Sequence, residues 1–369
     1  GITFTPIEEL LGIDQMGQWM GFALGDYDGD ADLDVFVTNM GFQPLERPWP
    51  GVPSADCAYY HSTSTGTCFH ALIENRVNEE SEPSRPGAFA FVTGETIVSP
   101  SGIIPPASLG DEFEAQNEAQ IIGLEAYEFG FGTAFFDMDN DADQDLYWLG
   151  SIAARGEGPQ GDVAPGVGRL LQNDGNGSFA DITAEARIID SLAVDYSILD
   201  PEDNNFNARK QRIGVEFHEN GKGVAVGDLN GDGFIDVIGT NSNGETFDAD
   251  GERAVASGPL FVWMNSGNDN SWISFRLTGG MSISSTGSNA DAIGAKIIVT
   301  HARYDGKEVT QVKEILGSSS FLSMSSTDAH FGIGNAESVS VRIEWPSGRT
   351  MNLTDLELNK LHEINEPAS

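Results

Sequence analysis

The sequence predicts an all-β protein assembled from a repeated four-strand unit. Three observations carry the prediction. An acidic nonamer occurs three times, as DYDGDADLD at 26–34, DMDNDADQD at 137–145 and DLNGDGFID at 228–236. Each copy sits between short apolar runs of strand length. Helical periodicity is weak along the whole chain, while 44 glycines and 16 prolines mark frequent turns.

The elements of the unit follow in order. The first strand is Gly-rich and apolar and precedes the acidic loop: MGFALG, FGFGTAFF and GKGVAVG. The second follows the loop: LDVFVTN, DLYWLGS and IDVIGTN. The third is apolar and ends in asparagine: HALIEN, GRLLQN and PLFVWMN. The fourth reads AFAFV, GSFADIT and SWISFRL. Self-similarity over such a period marks a repeat architecture. Long insertions interrupt it at about 41–68, 94–128 and 184–220, the last containing DYSILDPEDNNFNARKQR. Loops of this length are usually functional, flexible or part of an interface.

Alternation gives the acidic loop its chemistry. Side chains at positions 1, 3, 5 and 9 can converge on one point, joined by the carbonyl of position 7. Several carboxylates among oxygen ligands suit calcium, which takes six to eight oxygens. Site one is then Asp26, Asp28, Asp30 and Asp34 with the Asp32 carbonyl. Site two is Asp137, Asp139, Asp141 and Asp145 with the Asp143 carbonyl. Site three is Asp228, Asn230, Asp232 and Asp236 with the Phe234 carbonyl. A helix-flanked calcium loop needs a bidentate Glu at position 12, where this chain has Val37, Trp148 and Gly239. These are calcium loops between strands. With free calcium 100 to 1,000 times Kd, each site adds roughly 2.7–4.1 kcal/mol. Three sites rival the whole stability of a domain, about 5–15 kcal/mol, so the calcium reads as structural. DADGE at 248–252 offers a weaker loop from Asp248, Asp250 and Glu252, with an acidic turn as the plainer reading.

Composition narrows the partners. With 57 Asp and Glu against 19 Lys and Arg the net charge is −38, which repels nucleic acid and anionic membranes. No run of 18 apolar residues exists to span a bilayer. The chain opens on GITFTPIEEL, already strand-like and without a signal peptide, so a secreted protein would be met here in processed form. Cys57 and Cys68 lie close in sequence and form a disulfide in an oxidising compartment. Two alternatives stay open: a soft-metal set of Cys57, His61, Cys68 and His70, whose spacing fits no zinc pattern, and two free thiols.

The repeats resemble FG-GAP/VCBS repeats, the blades of calcium-binding β-propellers. SNADAIGAKIIV (288–299), LGSSSFLSMSSTDAHFGIG (316–334) and VRIEWPSGRTMNLTDLELNKLHEINE (341–366) resemble the ASPIC and UnbV domain. The resemblance covers residues 15–40, 129–182 and 221–366. It implies a propeller-like array at 1–264 and a small β-sandwich-like module at 265–369. It also implies an extracellular calcium-binding module; it does not imply an enzyme and carries over no catalytic residues. The visible blades number three, whereas propellers usually have four to eight. SWISFRLTG serves both as fourth strand of blade three and as first strand of the module.

Two rival functions carry less. A secreted hydrolase or lyase needs a nucleophile and a base, but His218, His301 and His330 lie in no GxSxG-like frame and read as structural. A lectin would use Trp49, Tyr59 and Tyr60 of the first insertion beside calcium. The favoured reading is a structural or adhesive protein whose partners are calcium, extracellular proteins or glycans, and other copies of itself. ITFTPIEELLGI (2–13) aligns with SFADITAEARII (178–189), Phe4 in register with Phe179. The first residues thus read as a fourth strand able to complete a blade, in the same or a neighbouring chain. A calcium-dependent homo-oligomer or filament is the resulting expectation.

Overall fold

The computed structural model describes residues 19–39, 56–58, 65–67, 70–76, 89–99, 122–124, 127, 130–150, 152–155, 162–165, 168–188, 221–242, 244–247, 253–256, 258, 260–303 and 306–368. The side chain of Cys57 lies outside this set, as do Phe4, Trp49, Tyr59, Tyr60, His61, Cys68, His218, Asp248, Asp250 and Glu252. The described chain is all-β.

Sheet one contains β1 (Trp19–Gly25) and β2 (Asp34–Asn39). A hairpin of β3 (Asp56–Ala58) and β4 (Thr65–Thr67) intervenes, with the Cys57 backbone opposite Gly66. Then come β5 (Ala71–Asn75) and β6 (Phe89–Phe91), in the order β1-β2-β5-β6. The second insertion supplies β7 (Ile97–Ser99) and β8 (Ile122–Gly123), which join the edge of sheet two. Sheet two itself has β9 (Gly130–Phe136) and β10 (Asp145–Gly150), then the hairpin β11 (Ile152–Arg155) and β12 (Asp162–Pro165). It continues with β13 (Arg169–Asn173) and β14 (Phe179–Asp181), followed by the single helical turn α1 (Thr183–Ala186). Its order is β8-β7-β14-β13-β10-β9.

Sheet three has β15 (Gly221–Gly227) and β16 (Asp236–Asn241), the hairpin β17 (Gly244–Phe247) and β18 (Arg253–Ala256), and β19 (Leu260–Trp263). Its described strands stop at three, in the order β15-β16-β19. β20 (Ser271–Thr278), the segment that could have been its fourth strand, pairs instead with two strands of the C-terminal module. The module continues with the helical turn α2 (Gly280–Ser284), β21 (Lys296–Ala302), β22 (Glu308–Glu314), β23 (Ala329–Gly334), β24 (Val339–Glu344), β25 (Thr350–Leu353) and β26 (Lys360–Asn365). Two sheets, β23-β20-β26 and β22-β21-β24-β25, enclose a core of Phe275, Phe331, Ile297, Val299 and Ile343.

The three sheets stack in sequence, and β10 shows why. Leu146 and Trp148 pack toward sheet one with Phe36, Leu72 and Leu171. Tyr147 and Leu149 pack toward sheet three with Val224, Val237 and Phe261. A strand covered on both faces carries no polar alternation, hence the run DLYWLG, buried throughout. First strands approach closely: a Cβ on Gly132 would collide with the backbone of Lys222 and Val224.

One segment of the module ties the array together. The Ser320 amide donates to the Phe22 carbonyl of β1 at 2.7 Å, and Ser320 Oγ accepts from the Thr133 amide of β9 at 3.0 Å. Ser323 Oγ donates to the Val224 carbonyl of β15 at 2.7 Å, and the Ser326 amide donates to Val226 at 3.0 Å. Phe321 meets Phe131 edge-on at 5.0 Å. The stretch SFLSMSS, residues 320–326, thus crosses the first strand of each of the three stacked sheets.

Candidate metal centres

Each acidic loop links the first two strands of its sheet. Positions 4 and 6 are left-handed in all three: Gly29 and Ala31, Asn140 and Ala142, Gly231 and Gly233. Two such residues in alternation coil the backbone tightly around the side chains at positions 1 and 3. Glycine and asparagine enter this region readily, alanine at some cost. Position 9 closes the loop by the same bonds each time. Asp34 Oδ2 accepts from the Tyr27 amide at 3.1 Å and Oδ1 from the Asn75 amide at 2.8 Å. Asp145 does so with Met138 and Asn173 at 2.8 and 2.9 Å, and Asp236 with Leu229 and Asn265 at 2.9 and 2.8 Å.

In the first two loops three carboxylates converge. Oxygens of Asp26, Asp28 and Asp34 lie within 4.8 Å of one another, as do those of Asp137, Asp139 and Asp145. Positions 1, 3 and 9 therefore come together as the alternation predicts. Position 5 does not join these groups: Asp30 Oδ1 accepts from the Asp32 amide at 2.9 Å and Asp141 Oδ1 from the Asp143 amide at 3.1 Å. At position 7 Asp32 is buried, and Asp143 binds Arg303 Nη2 through its side chain at 2.7 Å. In loop three Asp228 is occupied by the amides of Gly231, Asp232 and Gly233, and Asn230 Nδ2 donates to Asp232. Phe234 is buried there. Asn230 in place of a third carboxylate makes this loop less acidic.

The electrostatics are those of a site short of positive charge. Burial first, then Asp30 and Asp28, push the Asp26 carboxyl up to about 7. Burial and Asp30 raise Asp28 to about 6, and burial raises Asp34 to about 9. Burial and Asp141 raise Asp137 to about 8, and burial and Asp139 raise Asp141 to about 7. Burial puts Asp145 well above the ordinary range, with Asp137 adding to it. Asp26 Oδ1 and Asp139 Oδ1 are buried and accept no hydrogen bond among the described residues. Crowded, dehydrated carboxylates with oxygens to spare suit a hard divalent cation, which restores the charged form. The two buried acidic clusters can each hold a metal ion.

The surroundings add residues that the repeat pattern did not single out. Gln172 Nε2 donates to Asp139 Oδ2 at 2.8 Å, and Tyr27 Oη donates to Glu74 at 3.1 Å. The asparagine ending each third strand was visible in the sequence as a recurring letter without a role. Asn140 connects loop two to the module. Its Nδ2 donates to the Gly233 carbonyl at 3.0 Å, which leaves Oδ1 to accept from His330 Nε2 at 2.7 Å. His330 Nδ1 then accepts from Ser274 Oγ at 2.8 Å. Burial, with Lys313 nearby, lowers His330 to about 3, so the imidazole is neutral. His301 lies buried beside Gln311 at 3.2 Å. His70, offered above to a soft metal, takes the Asn39 amide on Nδ1 at 3.1 Å and packs on Trp148 at 4.8 Å. Among the described residues no helix is long and apolar enough to cross a membrane.

Comparison with known proteins finds similarity over part of the chain. The family model described as ASPIC and UnbV matches residues 285–369. Cartilage acidic protein 1 of Homo sapiens is 32% identical over 150 residues, 40% of this chain and 19% of that protein. Its Mus musculus and Xenopus tropicalis counterparts are each 31% identical over 150 residues, 40% of this chain and 20% of theirs. The chain thus spans about a fifth of the length of these relatives.

Proposed function

We propose that this chain is an extracellular calcium-binding structural or adhesive protein without catalytic activity. In this reading the three sheets are FG-GAP/VCBS blades of a propeller-like array at 1–264, and 265–369 is the module they carry. The observation that supports it most is the convergence of three carboxylates, two buried and one half-buried, in each of two successive loops, within 4.8 Å, with one oxygen of Asp26 and one of Asp139 left without a partner among the described residues. Oxygen-only ligands favour calcium over softer metals. Loop three is a third and weaker site, with an amide at position 3. Calcium neutralises the charge that crowds these loops and so holds each first and second strand together. The non-catalytic reading draws support from Ser274 and His330. Burial opposes the imidazolium that a base-assisted serine would require, so their hydrogen bond joins β20 and β23 instead. The partners are calcium and other copies of this chain.

Titration calorimetry of the EGTA-stripped and dialysed protein tests the reading. Two strong calcium sites and one weaker are expected, with a thermal midpoint that rises on calcium addition. Absence of calcium binding by the folded protein overturns it.

A further inference from the structure

Two junctions within this chain are built alike. Position 2 of one acidic loop plugs into the next sheet, and its carbonyl takes the amide of the asparagine ending that sheet's third strand. At the first junction Tyr27 stacks on Phe179 with centroids 6.1 Å apart, and its carbonyl accepts from Asn173 Nδ2 at 2.6 Å. At the second, Met138 packs against the cluster containing Ile235 and Phe261, and its carbonyl accepts from Asn265 Nδ2 at 2.7 Å. The corresponding residue of sheet three is Leu229. It is 50% exposed, and no described residue donates to its carbonyl. The same end of the array exposes more apolar surface. β19 alternates, with Phe261 buried against sheet two and Leu260 and Val262 turned the other way at 66% and 51% exposure. Met264 follows at 48%. At the opposite end, Gly21 faces Phe131 of sheet two, while its neighbour Phe22 turns outward at 42% exposure.

We propose that the outer face of sheet three docks sheet one of a second copy, repeating a third time the junction found twice within the chain. The inference rests on the reading that copies of this chain are partners, and it names the surfaces they use. Leu229 takes the part of Tyr27 and Met138. Asn75 of the second copy ends its third strand as Asn173 does, its Nδ2 donating to its own Leu33 carbonyl at 3.2 Å as that of Asn173 donates to Gln144, and so marks the corresponding edge of sheet one. Leu260 and Val262 pack against the face that carries Phe22. Because the two faces differ, the contact is heterologous and leaves one face of each kind open for further copies. Loop three, with Asp232 exposed, lies at this contact, so added salt or calcium favours association by screening a chain of charge −38.

Light scattering on the full chain tests the proposal, in millimolar calcium and again in EGTA. Wild-type mass rises with concentration. Val262→Glu and Phe22→Glu each stay at monomer mass, with wild-type circular dichroism and melting. An equimolar mixture of the two variants gives a dimer and nothing larger, because each retains one working face. Leu260→Lys behaves as Val262→Glu. Wild-type monomer at every concentration, assembly by both variants alone, or a mixture that stays monomeric overturns the proposal. A large loss of melting temperature in monomeric Val262→Glu also overturns it, since the face would then be covered within the chain. Assembly that persists in EGTA counts only against the calcium reading.

Discussion

The side-chain amide of Asn173 donates to the Tyr27 carbonyl at 2.6 Å and to the Gln144 carbonyl at 2.9 Å. One buried residue of sheet two thereby closes its own acidic loop and holds that of sheet one. Replacement by Ala leaves two interior carbonyls unmet, each a loss of about 1–3 kcal/mol. Asn173→Ala should destabilise by about 3 kcal/mol, and Asn265→Ala, less buried, by about 2 kcal/mol. Urea unfolding in saturating calcium measures both. Equal and negligible effects would count against the junction as an energetic link.

The carboxylates of the first two loops give a pH dependence with a definite sign. In chelated protein their folded values, about 7 for Asp26, 9 for Asp34 and 8 for Asp137, lie above the ordinary carboxylate value. A group held protonated by the fold contributes stability that is complete below its unfolded value, about pH 4. That contribution declines as pH rises and is gone above the folded value. Stability in EGTA should therefore fall from about pH 4 to about pH 9. Calcium, which binds the ionised form, should flatten or reverse the trend. Melting profiles across that range, with and without calcium, decide the sign.

Position 3 of the loop separates metal binding from packing. Asp28 lies against Asp30 and the other carboxylates, and burial together with these neighbours raises its pKa. Asp28→Ala should raise the melting temperature in EGTA by relieving repulsion, and abolish most of the gain on adding calcium. Asp32→Ala keeps its carbonyl and should retain most of that gain. Asp139→Ala loses metal as Asp28→Ala does and also strands Gln172. Loss of the calcium response in Asp32→Ala, with retention in Asp28→Ala, would refute this assignment of ligands.

Arg169 and Asp181 form an ion pair at 3.1 Å with both side chains fully buried, the guanidinium lying over Tyr127 at 5.2 Å. Removing one partner of such a pair costs about 3–5 kcal/mol, whereas an apolar pair of similar volume can be neutral. Arg169→Met should unfold the protein at markedly lower urea, and Arg169→Met with Asp181→Leu should recover most of the loss. A double variant as weak as the single one would contradict this.

Gly233 combines a φ of 88° with contact against the Trp272 indole, which a Cβ would penetrate. Gly233→Ala should cost about 3 kcal/mol, from left-handed strain and forced movement of the indole together. Gly231→Ala meets no neighbour and should cost about 1 kcal/mol for strain alone. Denaturation of the two variants side by side makes the comparison.

The strands that the repeat marks are the strands observed, because each obeys a local rule. The Gly-rich run precedes the loop, the apolar run follows it, and the third strand ends in asparagine. The convergence of Asp26, Asp28 and Asp34 was legible for the same reason. What sequence could not reveal is partly local loop geometry and partly contact with partners distant in the chain. Asp30 and Asp141 lie outside the two converging groups, and each accepts the backbone amide two residues on, as Asp28 does within its group. GRLLQN reads as apolar, but its arginine is buried because Asp181 crosses from the next strand. SWISFRL matches the fourth strand of a repeat, yet the strands at 329–334 and 360–365 outcompete sheet three for its edges.

The crossing of β1, β9 and β15 by residues 320–326 bears on how the molecule is made. Phe22 and Ser320 are separated by about 300 residues, so their bond cannot form until that whole intervening stretch has been synthesised. The first sheet emerging from a ribosome would gain this tie only after the two later sheets have followed it, and closing so long a loop is slow. Maturation should accordingly finish in a late step common to all three sheets, when one short serine-rich segment slides across them and turns separate folding units into one cooperative body.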